Sequence, residues 1–207
     1  MPTIFTHAIA ATALGSLYRA RAGRQGQGLP GGGAAGSALP RGFWLLTVFC
    51  AVLPDADVVA FDLGLDYGHM LGHRGLSHSL VFAVLTGAVA AWALDRGAWR
   101  AAHPAARLAL FVHFSLATAS HGLLDALTDD GLGVAFFAPF SGDRFFFPWR
   151  PLEVSPIGGH GFFTATDVRG GLRWVEVLWS EIRWVWIPAG ALILMVWRLR
   201  RTGRASG

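Results

Sequence analysis

Seven residues of two chemical types stand where an apolar chain has little reason to carry them. His7, Asp55, Asp57, His73, His78, His121 and Asp125 lie within or beside apolar segments. Ionisable groups inside membrane segments are expensive and usually functional. His121 and Asp125 are spaced i, i+4, on one face of a helix. Either the two share a metal or the carboxylate orients the imidazole. Asp55 and Asp57 follow Pro54, which breaks or kinks a helix. They fall where backbone is irregular, as is tolerated beside a polar cavity; their plainer role is to cap the segment. Neutral imidazole nitrogen with carboxylate oxygen suits zinc and other divalent transition metals.

The other histidines read differently. His113 lies two turns from His121, roughly 12 Å deeper at about 1.5 Å per residue, and reads as an interhelical hydrogen-bond partner. His69 is i, i+4 from His73, but Gly68 and Gly72 weaken a helix there, so it is either a loop residue or a ligand. His103 follows a run of arginines and reads as exposed. His160 sits among Gly158, Gly159 and Gly161 as a mobile loop residue or a proton donor. The lone cysteine, Cys50, excludes a disulfide framework and a cysteine-only zinc site, and reads as a small core residue.

The elements that must position these groups are apolar. The chain has 207 residues, 53% of them hydrophobic and 14% charged, and a mean hydropathy of +0.45. That excludes a disordered or coiled-coil protein and favours one membrane domain. Apolar segments run over 4–18, 43–63, 80–94, 108–127 and 185–197. A full span needs about 20 apolar residues, so the shorter ones extend into their flanks, tilt or enter partway. The expectation is an all-α, integral membrane helical bundle of four to five membrane segments, with its polar cluster near the outer face. No basic stretch precedes the first segment, so a cleaved signal peptide is not expected. Residues 23–41, rich in Gly, read as a flexible cytoplasmic linker rather than a phosphate-binding loop. Residues 128–182 read as an outer-face loop or lid.

The net charge is +4, and all 17 basic residues are arginine. They are dispersed and flank apolar segments, which fits membrane topology and not a nucleic-acid groove. Arg19, Arg21, Arg24 and Arg41 lie between segments one and two. Arg96, Arg100 and Arg107 lie between three and four. Arg198, Arg200, Arg201 and Arg204 follow segment five. The positive-inside rule then predicts an outer N-terminus and a cytoplasmic C-terminus in the cytoplasmic membrane. Under that topology four segments carry their His and Asp residues to the outer side, although the arginine argument never used them.

Four strings occur in order: Thr6-His7, Leu53-Pro54-Asp55-Ala56-Asp57, His73-Arg74-Gly75-Leu76-Ser77-His78-Ser79, and His121-Gly122-Leu123-Leu124-Asp125. With Pro139-Phe140-Ser141 after them, they resemble the YdjM-like predicted membrane-bound metal-dependent hydrolases over roughly residues 3–156. The His-Arg-Gly string is the most specific part. That family is distantly similar to the helical zinc-dependent phospholipase C and single-strand nuclease enzymes. The resemblance implies a phosphoester substrate and one to three divalent ions, zinc above all, with manganese or iron as alternatives. It implies His7, Asp55, Asp57, His73, His78, His121 and Asp125 as metal ligands.

The resulting expectation is a membrane-embedded hydrolase acting at the outer face. Asp55 or Asp57 would accept a proton from water. Arg74 would either pair with a phosphate oxygen or make a helix-end or headgroup contact. Phe136, Phe137, Phe140, Phe145, Phe146, Phe147 and Trp149 lie at headgroup level and admit a lipid, or pack as a lid or core. Membrane lipids are thus the expected partners, and a lipid or lipid phosphate the substrate. Two rivals remain: a metal-binding transporter or sensor, and a structural protein whose polar residues join helices.

Overall fold

A computed structural model of the protein describes residues 1–24, 39, 42–95, 104–155 and 173–205. The described residues are helical, without strands beyond two isolated bridges. Helix α1 covers Ile4–Arg24 and α2 covers Phe43–Val52, followed by a 3-10 stretch at Leu53–Val58 and a single turn, α3, at Val59–Asp62. A short 3-10 turn, Leu76–His78, leads into α4, Leu80–Asp95, and α5 covers Pro104–Asp125. The last helix is built from α6, Arg173–Glu181, a π-helical turn at Ile182–Trp186, and α7, Ile187–Ala205.

Three helical stretches are long and apolar enough to cross a membrane: Phe43–Asp62, Pro104–Asp125 and Arg173–Thr202; Leu80–Leu94 is a shorter apolar helix. The outward faces stay apolar. Leu45, Leu85, Val89, Leu116 and Leu194 are all exposed, as a lipid solvent requires and water does not.

The interior joins α1, α2, α4 and α5 around Phe43, Cys50, Ala90, Leu110, Phe114 and Ala117. Small residues let the backbones approach. A Cβ on Gly87 of α4 would collide with Ser115 of α5. Cys50 is fully buried there, in the core role its sequence context predicts. His113 bonds Thr47 Oγ1 through Nε2 at 2.9 Å and stacks on Phe43 with centroids 4.8 Å apart. It is the interhelical partner expected.

Two boundaries differ from the sequence reading. The last apolar segment extends back to Arg173, so the C-terminal part of the expected 128–182 loop is helix. Charges at Arg173, Glu176, Glu181 and Arg183 hide the helix from a hydropathy scan. Its face of Val177, Ser180 and Glu181 is nevertheless buried, at the i, i+3, i+4 spacing of a helix. Most of the expected linker, His103 and His160 lie outside the described residues.

Candidate metal centre

All seven predicted residues converge at one end of the bundle. Antiparallel packing puts the start of α1 beside the end of α5. The 3-10 stretch after α2 and the loop before α4 close over the same point. Pro54 opens that 3-10 stretch, where it costs no helical hydrogen bond.

Ligand atoms of Asp55, His78, His121 and Asp125 lie within 4.8 Å of one another. So do those of Asp57, His73 and His78. His7 stands beside the first group. Its ring stacks on His121 with centroids 3.7 Å apart, and its Nε2 is 3.8 Å from Asp125 Oδ1.

The hydrogen bonds assign different work to similar residues. His121 Nδ1 lies 2.7 Å from the Ala51 carbonyl. A carbonyl only accepts, so Nδ1 carries a proton, and with an ion bound Nε2 would present its lone pair. That Nε2 is 3.1 Å from Asp55 Oδ1 and 3.9 Å from Asp125 Oδ2. The backbone, then, and not Asp125, orients His121. Asp57 faces His73 Nδ1 at 2.7 Å and His78 Nδ1 at 3.1 Å. It also accepts from the Ser77 hydroxyl and the Arg74 amide. Holding two imidazoles by their Nδ1 atoms is the arrangement that aims Nε2 at a metal.

With these partners in place, several buried atoms have no hydrogen bond: His7 Nδ1 and Nε2, His73 Nε2, His78 Nε2, Asp55 Oδ2, and both oxygens of Asp125. Asp125 Oδ2 is ion-paired with Arg74 and His78, each at 3.2 Å. His7 Nδ1, His73 Nε2 and Asp55 Oδ2 have neither hydrogen bond nor ion pair, and leaving such a group unpaired costs about 1–3 kcal/mol. A cation among them supplies what they lack, so the residues present fit a divalent metal. Burial pushes the His78 imidazole down, but Asp125 and Asp57 outweigh it and raise it to about 9. The two carboxylates thus favour the protonated ring, and a metal ion binding there would displace that proton.

Arg74 is fully buried, away from any headgroup contact. Its Nε is 3.2 Å from Asp125 Oδ2, and it donates to Thr128 Oγ1 at 3.0 Å and the Asp130 carbonyl at 3.1 Å. Its backbone is left-handed, with φ of 60°, a conformation that costs about 1–2 kcal/mol in a non-glycine residue. The next residue must be glycine, since a Cβ on Gly75 would collide with the Met70 carbonyl. His69 stays outside the cluster, exposed, with Nδ1 accepting from the Leu71 amide.

Two positioning residues carry no signal in the motifs. Arg144 donates to the carbonyls of His73, Tyr67 and His69 and pins the loop before α4. Glu181 is fully buried against the start of α1. An acid this deep in an aromatic helix was the available clue, but Glu181 reads from sequence as a loop charge.

The fold and the cluster are those of a helical membrane protein with a candidate metal centre at one end of its bundle. The chain belongs to the YdjM inner membrane protein family, whose profile matches residues 1–205. It is 34% identical over 201 residues to the inner membrane protein YbcI of Escherichia coli (strain K12), across 97% of this chain and 100% of that protein. No solved structure matches.

Proposed function

We propose that this protein is a metal-dependent hydrolase of the cytoplasmic membrane, cleaving a phosphoester of a lipid or lipid-linked substrate at the outer face. The observation that carries the reading is the convergence of buried His and Asp atoms that lack partners. His78, His121, Asp55 and Asp125 would hold the ion, with His7 and His73 beside them. A divalent metal held there would supply Lewis-acid chemistry, activating water toward a phosphoryl group, and zinc suits this donor set best.

The protein's own residues divide the remaining work. Asp55 would both face the ion through Oδ1 and accept a proton through Oδ2, which is buried without a hydrogen-bond partner. Asp57 is not, since both its oxygens are engaged by His73, Ser77, His78 and the Arg74 amide. Arg74 holds Asp125 and does not reach outward.

A lipid substrate is supported by what surrounds the site. A groove of about 400 Å3 runs between α1, α5 and α7, past Ala13, Leu124, Leu127 and Leu192 to Trp149 and Trp184. Ser120 and Leu124, which line it, precede His121 and Asp125 by one position each on α5, while the cluster residues themselves do not line it. Phe137, Phe140, Phe145, Phe147 and Trp149 are exposed near the same end, where aromatic rings suit the headgroup layer. The arginines at the end of α1, Arg19 and Arg21, at the start of α5, Arg107, and at the end of α7, Arg198 and Arg201, lie opposite, which supports an outward-facing site. A transport path has less support: among the described residues His113 is the deep imidazole, and it is committed to Thr47 and Phe43.

The test is hydrolysis by zinc-loaded protein in mixed micelles, against phospholipids and lipid phosphates, with Asp55→Asn alongside. The proposal predicts turnover in the wild type and a loss of about 100-fold or more in the variant. Retained metal with no hydrolysis of any phosphoester would overturn it in favour of a metal-binding sensor.

A further inference from the structure

We infer that Glu181 is a positioning residue for the metal centre, acting through the first turn of α1 to hold His7 in place. The inference rests on the metal-centre reading above.

Glu181 is fully buried in the last membrane helix and touches none of the candidate ligands. One carboxylate oxygen accepts from the Thr3 amide; the other accepts from Thr3 Oγ1 at 2.6 Å and Thr6 Oγ1 at 2.8 Å. The Thr3 amide is one of the donors that a helix start leaves without an internal partner, and a negative charge there also suits the helix dipole. Thr6 directly precedes His7, whose ring stacks on His121 and faces Asp125. Both His7 nitrogens lack hydrogen bonds. The nearest carboxylate, Asp125, is 3.8 Å from Nε2, beyond hydrogen-bond reach, so the backbone of α1 and the stack on His121 set the ring's position.

A second contact closes the clamp. Trp186 Nε1 donates to Thr6 Oγ1 at 2.6 Å. In a regular helix residues 181 and 186 would point about 140° apart, at about 100° per residue. The π-helical turn at Ile182–Trp186 instead brings positions i and i+5 onto one face. Glu181 and Trp186 therefore grip the same hydroxyl. The π turn gives the clamp its geometry, and such single turns are frequent at functional sites. On the neighbouring face, Ser180 accepts from the Glu153 amide at 3.0 Å, so the same helix also tethers the loop beside the site.

The test measures the affinity of detergent-purified protein for zinc, and the visible bands of cobalt(II) as a report of the ligand set. Wild type, Glu181→Ala, His7→Ala and the double variant form a cycle, with thermal unfolding of the metal-free proteins as a control. The expected result is that Glu181→Ala weakens zinc about tenfold and shifts the cobalt bands toward those of His7→Ala. In the His7→Ala background it should add less than about twofold, because its route is already cut. An equal loss with and without His7 would mean a general effect on the fold and overturn the inference, as would an unchanged affinity. If Glu181→Ala does not fold, Trp186→Phe replaces it in the cycle; it removes one hydrogen bond and keeps the ring. The expected loss is then about threefold, again dependent on His7, and an unchanged affinity overturns the clamp. Wild type without metal would overturn the metal centre and the clamp together, whereas bound metal indifferent to Glu181 overturns the clamp alone.

Discussion

Asp55 and Asp57 stand two positions apart on one 3-10 turn, yet only Asp55 has an oxygen to spare. Asp57 spends both oxygens on His73, Ser77, His78 and the Arg74 amide. The account therefore predicts different losses. Asp55→Asn should remove a ligand and abolish stoichiometric zinc. Asp57→Asn should keep the stoichiometry and weaken affinity by about 10–100-fold, as outer-shell partners do. Equilibrium dialysis of the two variants separates the roles, and equal losses would contradict the division. Arg74 is a structural cation. Replacing it with Met would leave Asp125 buried with only His78 beside it as a charged partner, at a cost of about 3 kcal/mol, the low end for breaking a buried pair. Thermal unfolding of the metal-free variant should show that loss, whereas a stable protein deficient only in substrate binding would restore Arg74 to the phosphate.

At the scale of elements, the loop from Asp66 to Ser79 sets the site, and its shape depends on glycine. Gly75→Ala should lower both stability and zinc content without touching any ligand, because its Cβ meets the Met70 carbonyl; normal zinc content in that variant would contradict this. This is also the scale at which the sequence is most and least readable. The apolar runs locate α1, α2, α4 and α5, and Pro54 marks where α2 gives way to 3-10 backbone. His and Asp within those runs point to the cluster, because a lipid environment gives unpaired charge no other home. The roles inside the cluster are not readable, since Asp55 and Asp57 look alike until their hydrogen bonds are seen. Arg74 looks available for a phosphate because nothing in a string of letters shows burial. Glu181 escapes for two reasons: its charged neighbours break the apolar run, and the π turn breaks the 3.6-residue period that would place it with Trp186.

For the whole molecule, the claim is an asymmetric bundle with its His and Asp cluster at one end and the arginines of the helix ends, Arg19, Arg21, Arg107, Arg198 and Arg201, at the other. A cysteine replacing exposed Gly142, in a chain whose native Cys50 is buried, should react with a membrane-impermeant maleimide in intact spheroplasts. A cysteine replacing exposed Thr202 at the far end of α7 should not. The reverse pattern would turn the site toward the cytoplasm. Most direct of all is the metal itself, measured in detergent-purified protein beside His121→Ala. The account predicts one or more zinc, manganese or iron ions per chain in the wild type and their loss in the variant. A wild-type protein that stays metal-free after divalent ions are supplied would contradict the metal centre, and the buried His and Asp residues would then be helix-joining or proton-handling groups.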